Sequence, residues 1–130
     1  WSDVLNLNLT ANWRLIRSLD PLLRAASAGR AIFVTAAIAR IPRAYWGAYG
    51  SSKAAFEVLL DCYAQETAKV SKVRVALVNP GATRTAMRAR AYPGEDPATL
   101  KPPEAVAERL IALLGEPFAT GYRESINSVR

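Results

Sequence analysis

Six positions recur at helical spacing near the start of the chain. Val4, Asn8, Ala11, Leu15, Leu19 and Leu22 predict a helix from Ser2 to about Ala28 with these residues on one face. Pro21 predicts a kink or a restart in its last turn, and Gly29 suits a helix end. The run Ala31-Ile32-Phe33-Val34-Thr35 is short, apolar and rich in strand formers, the pattern of a buried strand. Residues 36–46 contain Pro42 and read as a loop. A second helix is predicted from about Gly47 to Val70, with Tyr49, Lys53, Phe56, Leu60, Tyr63 and Thr67 sharing a face. A second strand follows at Val73-Arg74-Val75-Ala76-Leu77-Val78, and Asn79-Pro80-Gly81 ends it sharply. Residues 82–101 show no periodic element, and a loop of that length is functional or mobile in most compact domains. After Pro102-Pro103 a third helix carries Val106, Leu110, Leu113 and Leu114 on one side and closes at Gly115 and Pro117. The tail from about Tyr122 to Val129 predicts a last strand.

Helix, strand, helix, strand, helix, strand is the order of an α/β layered fold with a parallel sheet. Three strands alone leave a long edge open. The chain also begins at Trp1, and its one methionine is Met87. Both observations point to a fragment that lacks part of its sheet.

Composition changes this picture little. A hydrophobic share of 51% supports a packed core and excludes a disordered chain. The formal net charge is +6, but the arginines are scattered and not interleaved with stacking aromatics, so we read a solvated basic surface and no nucleic-acid partner. Cys62 is the one cysteine and there is no histidine, which excludes an internal disulfide and a Cys/His zinc site. A reducing cytoplasm fits. No stretch of 18 apolar residues is present, so no membrane helix is expected.

The chemistry centres on Tyr49 and Lys53. Four residues apart, they lie one turn apart on one helix face. An ammonium on an otherwise apolar face is costly unless paired. It can hydrogen-bond to a bound molecule, and its charge would favour the phenolate of a neighbouring tyrosine, bringing that phenol toward a useful acid/base range. The spacing alone is weak evidence, since the chain has five tyrosines and four lysines and a lysine can snorkel to water from an amphipathic helix. The surroundings carry more. A strand ends at Thr35, the Tyr/Lys helix follows a loop, and the next strand runs into Asn79-Pro80-Gly81-Ala82-Thr83-Arg84-Thr85.

In that order these segments resemble the short-chain dehydrogenase/reductase family, and Trp46-Gly47-Ala48-Tyr49-Gly50-Ser51-Ser52-Lys53-Ala54-Ala55-Phe56 looks most like its bacterial members. The resemblance covers essentially the whole chain and implies the C-terminal half of a doubly wound, Rossmann-like parallel sheet, with residues 1–130 forming the C-terminal part of a single dinucleotide-binding domain. It implies an NAD(P)-dependent oxidoreductase that moves hydride between nicotinamide and a small carbonyl or alcohol substrate, with NAD or NADP as cofactor. Tyr49 would be the general acid/base. Lys53 would hold the nicotinamide ribose and tune Tyr49, and Asn8 would support a proton-relay water. Pro80, Gly81, Thr83 and Thr85 would line the nicotinamide end. It further implies a homodimer or homotetramer, for which we expect apolar outer faces around Leu9, Ile16, Phe56 and Tyr63. Arg84, Arg88 and Arg90 read as solvated surface, and Tyr45 and Trp46 as packing residues. Two departures stand out. The family's catalytic serine sits thirteen residues before the tyrosine, where this chain has Ala36, and the Gly-rich phosphate loop is absent. Thr35 has a hydroxyl but alternates to the other face of the strand. The second reading is therefore a catalytically impaired member that binds a nucleotide or a protein partner.

Overall fold

The computed structural model describes residues 1–127. Three parallel strands, β1 (Arg30–Val34), β2 (Arg74–Asn79) and β3 (Tyr122–Ser125), form one sheet in the order β1-β2-β3. Ile32 pairs with Ala76 and Val78 with Glu124, and the Thr35 amide donates to the Val78 carbonyl at 2.8 Å, extending the β1 ladder by one residue. Val129, at the predicted end of the last strand, lies outside the described residues.

As the central strand, β2 is apolar on both faces, which is why its sequence runs apolar without alternating. Helix α3 (Gly47–Ala68) covers one face through Phe56, Leu60, Tyr63 and Ala64, packed with Val73, Val75 and Leu77. Phe33 of β1 meets Phe56 edge-on at 5.8 Å. Ala76 and Val78 point to the opposite face and are equally buried. Helix α5 (Pro103–Gly115) contacts β1 and buries Leu113.

The first helix departs from the periodicity. Helix α1 (Ser2–Leu5) and helix α2 (Ala11–Ala25) are continuous through a π-helical turn at Asn6–Thr10. A π turn inserts one residue and rotates everything downstream relative to the face before it. The inward set therefore slips by one position, to Leu9, Ile16 and Leu23, which pack against the core cluster. Leu15, Leu19 and Leu22, predicted on the inner face, are exposed. The helix runs unbroken through Pro21, one backbone donor short, rather than restarting there.

The expected association faces need the same correction. Phe56 and Tyr63 are core residues, and Leu9 and Ile16 lean on that core. None of the four presents an outer face. Tyr63 also donates its hydroxyl hydrogen to Asp20 of α2 at 2.8 Å, fastening the two helices together. The segment read as having no periodic element contains a short helix, α4 (Ala86–Ala91), and a 3₁₀ turn at Pro97–Thr99. Both are too short for a periodic signal to register.

Candidate active site

The carboxyl ends of β1 and β2 open onto a cleft of about 680 Å³. Parallel sheets offer ligands their strand ends because the loops there are free to diverge. Tyr49 and Lys53 enter from the first two turns of α3, and Pro80, Gly81, Thr83 and Thr85 from the segment after β2. Six of the seven predicted site residues thus share one cavity. Asn8 does not line it. Its amide donates to the Ser52 hydroxyl at 3.1 Å, and Ser52 donates to the Tyr49 carbonyl at 2.7 Å. The π turn carries Asn8, so the local distortion of the helix places an amide against the helix that bears Tyr49.

Lys53 Nζ donates to the Val34 carbonyl at 3.3 Å and lies 6.0 Å from the centre of the Tyr49 ring. Burial lowers the Lys53 ammonium from its usual value and raises the Tyr49 phenol from its own. This corrects the expectation of a lowered phenol. The ammonium is spent on a carbonyl at the strand end and does not hydrogen-bond the hydroxyl, so loss of water around the phenol outweighs its attraction.

The segment after β2 is tied down at several points. Asn79 Oδ1 accepts from the Gly81 amide at 3.0 Å, and the Thr83 hydroxyl donates to the Gly81 carbonyl at 3.1 Å. Gly81 has φ 68°, a left-handed conformation that favours glycine. Thr85 caps α4, its hydroxyl oxygen accepting from the Arg88 amide at 3.1 Å. Lys101 is buried and donates to the carbonyls of Ala82 at 3.1 Å and Ile126 at 3.0 Å. It clamps the segment to the chain just after β3.

Across the cleft, Trp46 stacks on Tyr92 with ring centres 5.8 Å apart and meets Tyr49 at 5.9 Å. The Arg88 guanidinium lies 3.8 Å from the centre of the Tyr92 ring and donates twice to Glu95, at 2.7 and 2.8 Å. Trp46 thus packs as expected while bordering the cleft, whereas Arg88 is not solvated surface but is held between Tyr92 and Glu95. Arg84 and Arg90 are exposed as expected, whereas Tyr45 projects fully into solvent and packs on nothing. Tyr45 has φ 68°, and this reversal of the backbone occurs between Arg43 and Trp46, both of which line the cleft.

At the floor of the cleft, Thr35, which borders it together with Ala36, donates its hydroxyl hydrogen to Glu57 Oε1 at 2.6 Å. The other Glu57 oxygen accepts from Arg40 at 2.9 Å and from Arg123 at 2.8 Å. Burial works to raise the Glu57 carboxyl, but the three hydrogen bonds outweigh it and hold the group below its usual value.

Comparison with known proteins agrees with this geometry. The family model described as short chain dehydrogenase matches residues 1–96. The chain belongs to the short-chain dehydrogenase family. It is 41% identical over 116 residues to the uncharacterized oxidoreductase YciK of Escherichia coli K12, covering 89% of this chain and 45% of that protein. A short chain dehydrogenase structure from Shigella flexneri 2a, complexed with NADP, is 39% identical with a TM-score of 0.89, covering 97% of this chain and 53% of that one. Another from Escherichia coli CFT073, complexed with NADPH, is 38% identical with a TM-score of 0.91, covering 98% and 53%. The chain thus spans about half the length of the relatives it matches.

For a short-chain dehydrogenase, the departure at position 36 now has a geometric meaning. Ala36 lines the cleft, and the neighbouring Thr35 hydroxyl donates its hydrogen to Glu57. Glu57 and Lys101 were missed from sequence. Glu57 had a signal, a carboxylate one turn beyond Lys53 beside Phe56 and Leu60, whereas a lone Lys101 before two prolines had none. Among the described residues no helix is long and apolar enough to cross a membrane, and no cluster of metal-binding side chains is present.

Proposed function

We propose that this chain is the C-terminal part of the dinucleotide-binding domain of an NAD(P)-dependent oxidoreductase that interconverts a carbonyl and an alcohol. The observation that carries the reading is the pairing of Tyr49 and Lys53 inside a cleft at the carboxyl ends of β1 and β2. The donor set fits a nicotinamide riboside. Lys53 makes a single hydrogen bond, to Val34, leaving ammonium hydrogens for ribose hydroxyls. Thr85 uses its oxygen as the α4 cap and keeps its hydroxyl hydrogen to donate. Pro80 and Gly81 bring backbone without bulky side chains to the cleft wall. The nicotinamide, when bound, supplies or accepts the hydride.

The chain's own work is to orient the substrate and manage the proton. Burial raises the Tyr49 phenol from its usual value, which favours the protonated form that would donate to a carbonyl oxygen during reduction. In alcohol oxidation the same oxygen receives the proton. Asn8 acts through Ser52, holding the backbone turn that presents Tyr49. A small-molecule substrate, a cytoplasmic setting and a homodimer or homotetramer complete the reading.

The test is oxidation of NADPH and NADH by the whole protein with a panel of carbonyl compounds. Tyr49→Phe should lower kcat by about 10²–10⁴-fold, the usual contribution of a positioned acid or base, while nucleotide binding persists. Activity that survives Tyr49→Phe rules out the proposed proton role. Nucleotide binding without turnover in the unaltered protein would support the second reading, that of an impaired member, which Ala36 favours.

A further inference from the structure

The cleft carries an asymmetry of charge that the proton chemistry of Tyr49 does not use. Its lining includes Lys53, Arg43 and Arg88 and contains no carboxylate. The three cations are not equivalent. Arg88 is neutralised by its paired hydrogen bonds to Glu95. Lys53 is committed beside Tyr49. Among the described residues Arg43 has no acidic partner, and its one side-chain hydrogen bond is a long one, 3.4 Å, to the Tyr92 hydroxyl. Arg40 and Arg123 meet Glu57, and Arg109 meets Glu116 and Glu124, whereas Arg14, Arg17, Arg30, Arg74, Arg84 and Arg90 share with Arg43 the lack of a carboxylate partner among the described residues; of these unpaired arginines Arg43 is the one that lines the cleft. A guanidinium left unneutralised on a largely apolar cleft focuses positive potential where a ligand would enter.

Position gives this charge a use. From Tyr49, aromatic contacts lead to Trp46 at 5.9 Å and on to Tyr92 at 5.8 Å, and Arg43 touches the far end of Tyr92. Tyr92 is braced by Arg88, which Glu95 anchors in turn, so this wall is ordered before anything binds. A molecule with its carbonyl at Tyr49 would therefore lie along Trp46 and Tyr92 with its far end at Arg43. Guanidinium is suited to that end because its fixed fork matches a carboxylate.

We propose that the cleft takes a carbonyl compound bearing a carboxylate remote from the carbonyl, with Arg43 as the carboxylate's counter-ion and the edges of the stacked Trp46 and Tyr92 rings as the wall beside it. The proposal rests on the oxidoreductase reading above, and the experiment separates the two.

The probes are 4-acetylbenzoate and the neutral amide of the same shape, 4-acetylbenzamide, offered to the whole protein with NADPH. Turnover is followed by nucleotide oxidation, and binding to the nucleotide complex by calorimetry. A charge-assisted hydrogen bond contributes roughly 1.5–3 kcal/mol, so the acid should be favoured over the amide by about tenfold to a hundredfold, chiefly in KM or Kd. Arg43→Gln should collapse that ratio to about one, and Arg43→Lys should restore part of it. Arg43 is exposed, so these variants should fold. Equal use of acid and amide by the unaltered protein overturns the proposal and leaves the oxidoreductase reading intact. A rise in nucleotide Kd in Arg43→Gln, with the acid preference preserved, also overturns it and assigns Arg43 to the cofactor. If neither probe is turned over but the acid binds more tightly in an Arg43-dependent manner, the anion site stands and the oxidoreductase reading is decided by the carbonyl panel above.

Discussion

Glu57 is the residue whose removal should tell most about how the site is held. It is 6% exposed and accepts hydrogen bonds from Thr35, Arg40 and Arg123, groups from the end of β1, the following loop and β3. Glu57→Gln preserves the shape and removes the charge. The Arg40 side chain is 62% exposed and can return to water at small cost, and Arg123 keeps Asp61. What remains is a buried Thr35 hydroxyl in a weaker bond and a half-buried Arg123 with less to pair with. Together these should cost about 2 kcal/mol at pH 7, below the roughly 3–5 kcal/mol for breaking a fully buried ion pair. With a urea m-value of about 1–3 kcal/mol per molar, the unfolding midpoint should fall by about 1 M. The pH dependence follows from the direction of the shift. The folded carboxyl lies below its usual value, so its contribution is full above the unfolded value near pH ~4.3 and is lost as pH falls through the folded value. Urea unfolding of the two proteins at pH 7 and in a series below pH 4 reads both effects. A loss under about 0.5 kcal/mol at pH 7, or one that does not shrink in acid, would refute the idea that this carboxylate ties the site together.

Other changes probe other links. Leu60 is fully buried in the core between α3 and the sheet, so Leu60→Ala should cost about 2–5 kcal/mol in denaturant unfolding. Gly81→Ala would place a Cβ 2.8 Å from the Ile126 carbonyl oxygen and 3.0 Å from Lys101 Nζ at a φ of 68°. That strain should cost about 1–3 kcal/mol and raise the nucleotide KM, and calorimetric binding checks the second effect. Ala36→Ser introduces a hydroxyl donor into the cleft and should raise carbonyl reduction by about a hundredfold or more, as a preorganised donor to a developing oxyanion does. Unchanged turnover would mean that another group already polarises the carbonyl.

Much of the framework was legible from local pattern. β1, β2, α3 and α5 appear within a few residues of their predicted bounds, because each is long or apolar enough for its pattern to dominate, and β3 starts at Tyr122 as predicted. The Tyr49/Lys53 pair was legible for the same reason, since helical spacing alone puts both on one face. The inward face of α2 was not. One extra residue in the π turn at Asn6–Thr10 rotates it, and only packing against Leu60 and its neighbours reveals which register is chosen. Short α4 escaped because one and a half turns cannot display a period.

The site divides along the same line. Sequence alone determined which chemical groups are available and their order: a phenol and an ammonium one turn apart, a strand ended by Asn79-Pro80-Gly81, and an alanine at position 36. Alternation along β1 also predicted that Thr35 points away from the Ala36 side unless the strand bends; the structure gives its hydroxyl to Glu57 while the residue still borders the cleft. Tertiary structure decided what those groups experience. It buried the phenol and gave Lys53 a carbonyl to hold, so the phenol is raised where charge alone would lower it. It gathered Thr35, Arg40, Glu57 and Arg123 from four places in the chain into one network, and left Arg43 beside the cleft with no acidic partner among the described residues. The physical reason is range. Helical and strand periods act over a few neighbouring residues, whereas desolvation and pairing between charges depend on which distant segments the fold brings within a few ångströms of each other.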